Sequence, residues 1–363
     1  MTEDATAQAG EGAAKRASRA KMAARITLAL ALIVVIFWYL LKDISLADVW
    51  AAITAMTWIE LVGLAVIAAW NLVTYAFVWM TVTPGLRFGR AMVMTQATTA
   101  ITNTVPAGSA IGIGMTYGML HSWGFSRGRT TIAVLVSGVW NTFAKLAIPV
   151  LALALVALQG NASAARIAAA ALGIGGLIAA IVVFALMLRS EHMAERVGVT
   201  AGRVASRLLA LIRRPPVQGW ELATVKFRNR TVDLLEHGWF PITAATVVSH
   251  LSLYLVLLVC LRAVGISDAE VGWAEVLAVF AFARLATAVP ITPGGAGVVE
   301  AVLITGLTAA GGAKAEVVAA VLVYRALTWG LPVLVGVGCL LWWRKQTLTE
   351  PAGETPATRA AGP

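Results

Sequence analysis

A chain of 363 residues that is 59 % hydrophobic and 13 % charged, with a formal net charge of +10 and a positive mean hydropathy, lies far from the balance of a soluble globular domain. That composition predicts an all-α polytopic membrane protein. The basic residues fall between apolar runs rather than in one aromatic-interleaved patch, which argues against a nucleic-acid partner.

In chain order, residues 1–23 are rich in Ala, Gly and charge and read as a disordered basic tail. The apolar run after it follows Lys15, Arg16, Arg19, Lys21 and Arg25, as a signal peptide would, yet Leu41-Lys42-Asp43-Ile44 offers no small-residue cleavage site. An uncleaved first helix is expected. Spans of about 20 apolar residues are what a bilayer requires, and six segments qualify, at 24–41, 58–82, 130–157, 166–188, 239–262 and 317–343. Residues 344–363 form a second disordered tail.

Two further apolar regions are interrupted: 89–121 at Pro106-Ala107-Gly108, and 273–310 from Pro290 to Gly295. They align at a nearly constant offset. Val105-Pro106 matches Val289-Pro290 at 184, Gly108-Ser109-Ala110 matches Gly294-Gly295-Ala296 at 186, and LAIPVL (146–151) matches WGLPVL (329–334) at 183. This predicts an internal repeat, 24–157 and 166–343, within a single membrane domain 24–343.

Charge sets the topology, because cytoplasmic loops carry the Lys/Arg excess. The loop 189–238 holds nine basic residues against five acidic ones and belongs inside. If each interrupted region crossed the membrane, that loop would be forced outside; if each enters and returns, every loop lands where its charge predicts. The expectation is therefore about six transmembrane helices plus two re-entrant helical hairpins in two inverted repeats, with both termini cytoplasmic. Within the basic loop, RVASRLLALI and ELATVKFRNRTVDLLEHGWF read either as helices on the inner leaflet or as cytoplasmic helices packed on one another.

Irregular backbone at membrane depth must be buried in protein or line a watery cavity. The half-helices that start near Ser109 and Ala296 aim their positive ends inward, and Gly108, Gly294, Gly295 and Gly297 leave backbone N–H groups accessible to an anion. Pro106, Pro290 and Pro293 make the breaks, and Asn103 stands beside the first. Lys145, Arg284, Glu300 and Arg325 are ionisable at mid-depth and so mark a functional site, with His250 a weaker case. Three cations against one carboxylate call for an anionic partner, and a lipid phosphate suits arginine's planar fork of donors. The competing reading is a structural pair of Glu300 with Arg284 or Arg325.

No Walker loop, HExxH or aspartate-rich metal motif is present, and His121, His192, His237 and His250 are scattered. No enzyme activity, cofactor or metal is implied. Cys260 and Cys339 read as small hydrophobes.

The run Pro293-Gly294-Gly295-Ala296-Gly297-Val298-Val299-Glu300-Ala301 resembles the P-G-G-x-G-x-x-E-A hallmark of the lysylphosphatidylglycerol synthase transmembrane-region, flippase-like family. The resemblance covers roughly 24–343. It implies a bacterial inner-membrane protein similar to the flippase portion of the multiple peptide resistance factor, which moves aminoacylated phosphatidylglycerol between leaflets. The chain departs from that pattern in having only 344–363 after the last span, where the aminoacyl-transferase domain is expected. Two functions follow: a lipid flippase taking a phospholipid or polyprenyl-linked lipid, or a non-transporting membrane subunit that binds lipid or a partner glycosyltransferase or lipid-modifying enzyme through loop 189–238. An enzyme using Glu300 as acid or base ranks third.

Overall fold

The computed structural model describes Trp38 and residues 45–105, 108–158, 164–211, 220–287 and 292–349. The predicted tail 1–23, residues 350–363 of the second, nearly all of the first predicted span, and Pro106 and Pro290 lie outside these residues, whereas 344–349, expected in the disordered second tail, continue the last helix.

Helices make up almost everything described. Helix α1 (Leu46–Thr54) starts at Ser45, whose hydroxyl accepts the Asp48 N–H at 3.3 Å. Helix α2 (Trp58–Val82) opens on a capping box. The Thr57 hydroxyl accepts the Glu60 N–H at 3.4 Å, and Glu60 Oε2 accepts the Thr57 N–H at 2.6 Å. Ile59, Val62, Val66, Trp70 and Phe77 stripe one side of α2 and are exposed, while Leu64, Ala68, Ala76 and Val78 are buried. So long an exposed apolar stripe is a lipid-facing surface.

Next come α3 (Phe88–Thr104), α4 (Gly108–Ser122) and α5 (Arg127–Leu158). After these lie α6 (Ala164–Arg189), α7 (Glu191–Leu211) and α8 (Trp220–Ala263). The chain continues through α9 (Trp273–Ala286), a 3-10 turn (Pro293–Gly295), α10 (Val298–Ala309) and α11 (Lys314–Arg325). A π-helical turn (Ala326–Gly330) then leads into α12 (Leu331–Thr349).

Among the described residues, four helical stretches are long and apolar enough to cross a membrane: Trp58–Val82, Arg127–Val156, Gly238–Ala263 and Lys314–Thr347. Of the six predicted spans, 24–41 lies outside the described residues except for Trp38. In α6 only Gly173–Leu186 registers as a shorter apolar helix.

The expected loop 189–238 is largely helical. Helix α6 turns directly into α7 at Ser190, α7 packs along α8, and α8 runs unbroken from Trp220 into its apolar half. The two helices of this segment pack on one another, as one of its two readings expects. Arg228 fixes the arrangement, donating to the Leu188 carbonyl at 3.0 Å and lying 3.6 Å from the Glu191 carboxylate.

Both interrupted regions fold as antiparallel helical hairpins. In the first, Gly108 lies against Ile101 and Thr102 and Gly112 against Thr98 and Thr102, so α4 runs back along α3. In the second, Gly306 meets Val279 and Gly312 meets Val271, so α10 runs back along α9. The arms have 12 to 17 residues, below the roughly 20 of a typical crossing.

The hairpins are held by the opposite half of the chain. Helix α3 packs on α12, α9 packs on α5, and α2 pairs with α8. Gly336 of α12 allows the closest approach, against the Gln96 carbonyl and Ala100 of α3. Between α2 and α8 the seam is polar: Asn71 donates to the Ser252 hydroxyl at 2.8 Å, and the Thr74 and Ser252 hydroxyls are 3.1 Å apart. One apolar core gathers Leu257, Phe280, Leu303 and Val317 around the second hairpin; another gathers Met94, Met119, Leu120 and Val136 around the first.

Candidate functional site

The second hairpin turns through Pro293–Gly295 and enters α10 at Gly297. Gly294 and Gly295 adopt φ of 59° and 68°, and Gly297 of 82°, a region side-chain-bearing residues avoid. Space imposes the same choice at Gly294. A Cβ there would sit 2.5 Å from Trp329 Nε1 and 3.0 Å from Asn103 Oδ1, so the turn is wedged between the final helix and the tip of the first hairpin.

Glu300 stands in the first turn of α10. Its Oε2 accepts the Gly297 N–H at 2.8 Å and its Oε1 accepts Arg325 Nε at 2.7 Å. Arg325 also reaches the Gly294 carbonyl at 3.3 Å and lies over the Trp329 ring. Glu300 is buried and Arg325 partly so, at 5 % and 14 % side-chain exposure. The carboxylate thus occupies the positive end of α10 and neutralises Arg325. Of the two sequence-predicted partners for Glu300, the structure selects Arg325.

Arg284 is placed differently. It stands in the last turn of α9, where the negative helix end favours a cation. Its side chain makes no ion pair or hydrogen bond among the described residues, and its Nε is buried without a partner. Trp329 Nε1 is likewise a buried donor with nothing to accept it. Both residues line one cavity of about 180 Å³. The walls add Arg325 and Tyr324 from α11, Thr287 and Phe280 beside Arg284, Gly294 from the turn, and Thr99 and Asn103 from the first hairpin. With Glu300 matched to Arg325, the Arg284 charge stands uncompensated, and leaving a desolvated cation so is costly. The cavity is smaller than the 300–1,000 Å³ typical of whole-ligand pockets. It suits a compact anion of phosphate size.

The remaining predicted residues divide. Asn103 and Gly294 line the cavity; Pro293 and Gly295 shape the turn. Gly297 serves Glu300 rather than a free anion, because its N–H is already donated. Gly108 is a correction as well. Its N–H donates to the Val105 carbonyl at 2.8 Å, and the lack of a side chain lets α3 and α4 close together, so it presents no N–H to the cavity. Ser109 is exposed and does not line the cavity. Lys145 lies on α5, which packs on α9, and its charge and that of Arg284 act on each other, but it is not a lining residue. His250 Nδ1 lies 3.0 Å from the Thr246 carbonyl, which fixes the tautomer with the proton on Nδ1 and leaves the buried Nε2 without a partner.

Sequence reasoning missed Trp329, Thr99 and the π-helical turn. The signal was Trp329-Gly330-Leu331-Pro332 in mid-span. Pro332 has no N–H to return to the helix, and a π-helical turn is one way a helix absorbs such a break, often at functional sites. Among the described residues, no group of three or more His, Cys, Asp or Glu could hold a metal ion.

The family model described as "Lysylphosphatidylglycerol synthase TM region" matches residues 26–336 of the chain. No curated protein matches it.

Proposed function

The chain belongs to the lysylphosphatidylglycerol synthase TM region family, and from that premise we propose that it is a lipid flippase-like transporter of the bacterial inner membrane. In this reading the two hairpins are re-entrant, entering from opposite faces, and the halves form inverted repeats with both termini cytoplasmic. The support is the shortness of the hairpin arms and the exchange of partners, α3 on α12 and α9 on α5. The cargo is a phospholipid or polyprenyl-linked lipid whose phosphate sits between the hairpin tips.

One observation carries the reading: Arg284 and Trp329 offer buried, unpartnered donors to a single cavity, while the Glu300 carboxylate beside it is spent on Arg325. A phosphodiester brings one negative charge and several acceptor oxygens, which is what those donors lack. Rocking of one half against the other would pass the site from leaflet to leaflet. Purified protein in liposomes should speed the leaflet exchange of a labelled phosphatidylglycerol or polyprenyl-phosphate lipid over empty vesicles, and Arg284→Gln should abolish the gain. Exchange no faster than in empty vesicles, for anionic and aminoacylated lipids alike, would remove the transport reading. The subunit reading, with 189–238 docking a partner enzyme, draws less support, because Arg228 already spends its guanidinium on Leu188, Asn229 and Glu191.

A further inference from the structure

A second, larger cavity of about 410 Å³ opens away from the hairpin tips, between the end of α2, the start of α5 and the middle of α8. Its position along the helices is set by their composition. The apolar stretch of α2 ends at Val82 and that of α8 begins at Gly238, while the cavity is lined by Thr83 and Pro84 just past the first and by Asp233 just before the second. That is the level of the polar headgroups at one face of the membrane.

The cavity carries two opposite charges that do not meet. Arg129 is anchored at the rim: its Nη2 donates to the Pro84 carbonyl at 2.6 Å and its guanidinium lies over the Phe125 ring at 5.3 Å. Asp233 lines the same cavity, yet no Lys, Arg or His comes within 4.0 Å of it among the described residues, where Arg228, Arg262 and Arg325 all find carboxylates. Thr83, also lining the cavity and 2 % exposed, holds an Oγ1 with no hydrogen-bond partner. Val82, Ile132 and Leu234 supply an apolar side.

We propose that this cavity binds the zwitterionic phosphate–ammonium headgroup of a membrane lipid such as phosphatidylethanolamine, the phosphate on Arg129 and the ammonium on Asp233. A simple anion would satisfy Arg129 and be repelled by Asp233; a simple cation would do the reverse. A ligand bearing both charges can meet both side chains at once. The apolar side favours a lipid, with its glycerol and first acyl carbons, over a free soluble headgroup. The site is independent of the transport reading, since none of its residues lines the cavity between the hairpins.

The test uses the full chain in nanodiscs of equal parts phosphatidylethanolamine and phosphatidylglycerol, extracted in mild detergent, with retained lipid quantified by mass spectrometry. The wild type should retain phosphatidylethanolamine over phosphatidylglycerol, and Asp233→Asn should cut that preference about fivefold, the scale of one partly exposed charge pair. Asp233→Lys should invert the preference toward phosphatidylglycerol. Arg129→Gln should lower retention too; because Arg129 also ties down Pro84, the Asp233 variants at the exposed position carry the decision. Soluble phosphorylethanolamine should fail to displace the lipid. Equal retention of both lipids, a preference untouched by Asp233→Asn and Asp233→Lys, or displacement by the soluble headgroup at matching concentration would each overturn the proposal.

Discussion

The two helical hairpins share a shape and differ in almost everything that shape carries. The first, α3 and α4, contains Thr98, Thr102, Gly108 and Gly112 at its inner seam and no charged residue near its tip; the second, α9 and α10, carries Arg284, Glu300 and three glycines of positive φ. The first closes by bringing backbones together, with Gly108 against Ile101 and Thr102. The second is held by an ion pair that spans from Glu300 to Arg325 on another helix. The difference teaches that the same break can serve as a wall or as a charged centre. The first hairpin lends Thr99 and Asn103 to a cavity whose chemistry belongs to the second.

The largest way to break that contrast is to remove the ion pair. Glu300→Gln leaves the largely buried Arg325 unneutralised and, with one acceptor oxygen in place of two, can keep only one of the two hydrogen bonds, at a cost of about 3–5 kcal/mol. Thermal unfolding in detergent, followed by circular dichroism, should show it as a strongly lowered midpoint. The double variant Glu300→Gln, Arg325→Gln removes both charges and should recover part of the loss. If the single variant melts like the wild type, the pair does not hold the hairpin.

Arg284→Gln sharpens the contrast from the other side. No partner is orphaned, so the melting midpoint should hold, while binding of a short-chain phosphatidylglycerol, followed by calorimetry, falls about ten- to a hundredfold, the value of one charged hydrogen bond. An Arg284 variant that loses fold and binding together would make Arg284 structural.

Glycine substitutions then compare the two tips. Gly294→Ala combines a φ of 59° with a Cβ 2.5 Å from Trp329 Nε1, and Gly108→Ala drives a methyl into the backbone of α3. Each should cost about 1–3 kcal/mol. Only Gly294→Ala should also weaken lipid binding, because it displaces a lining residue. At the small end, Gly118→Ala in the middle of α4 meets nothing within 4 Å and should stabilise by about 0.5–1 kcal/mol. A loss there would mean that the outer face of the first hairpin is packed more tightly than its open surroundings show.

Much of this was legible in the sequence, and its limits follow from physical causes. Both breaks could be read, because proline removes a helix donor and clustered glycines weaken the helix on either side of it, so an apolar run that holds both must bend or turn. Each interrupted region folds back on itself as a helical hairpin. Spans such as Trp58–Val82 announced themselves by length and composition alone. The choice of Arg325 over Arg284 for Glu300 was not legible: both lie near the tip, and a contact 25 residues along the chain depends on how α11 crosses α10. Gly108 was read as a presenter of N–H groups, whereas the close approach of α3, a tertiary fact, gives it a packing role. Trp329 was hidden among 13 tryptophans, most of them at span ends. The unbroken course of α8 through the basic segment was obscured because charge marks where a span leaves the bilayer and says nothing about whether the helix stops there.

The central claim is that the uncompensated Arg284 holds a lipid phosphate between the hairpins, and native mass spectrometry of the wild type and Arg284→Gln, each offered phosphatidylglycerol, tests it most directly. The account predicts a wild type carrying bound phosphatidylglycerol and an Arg284→Gln protein that keeps its fold and loses the adduct. Equal adducts on both proteins would contradict it.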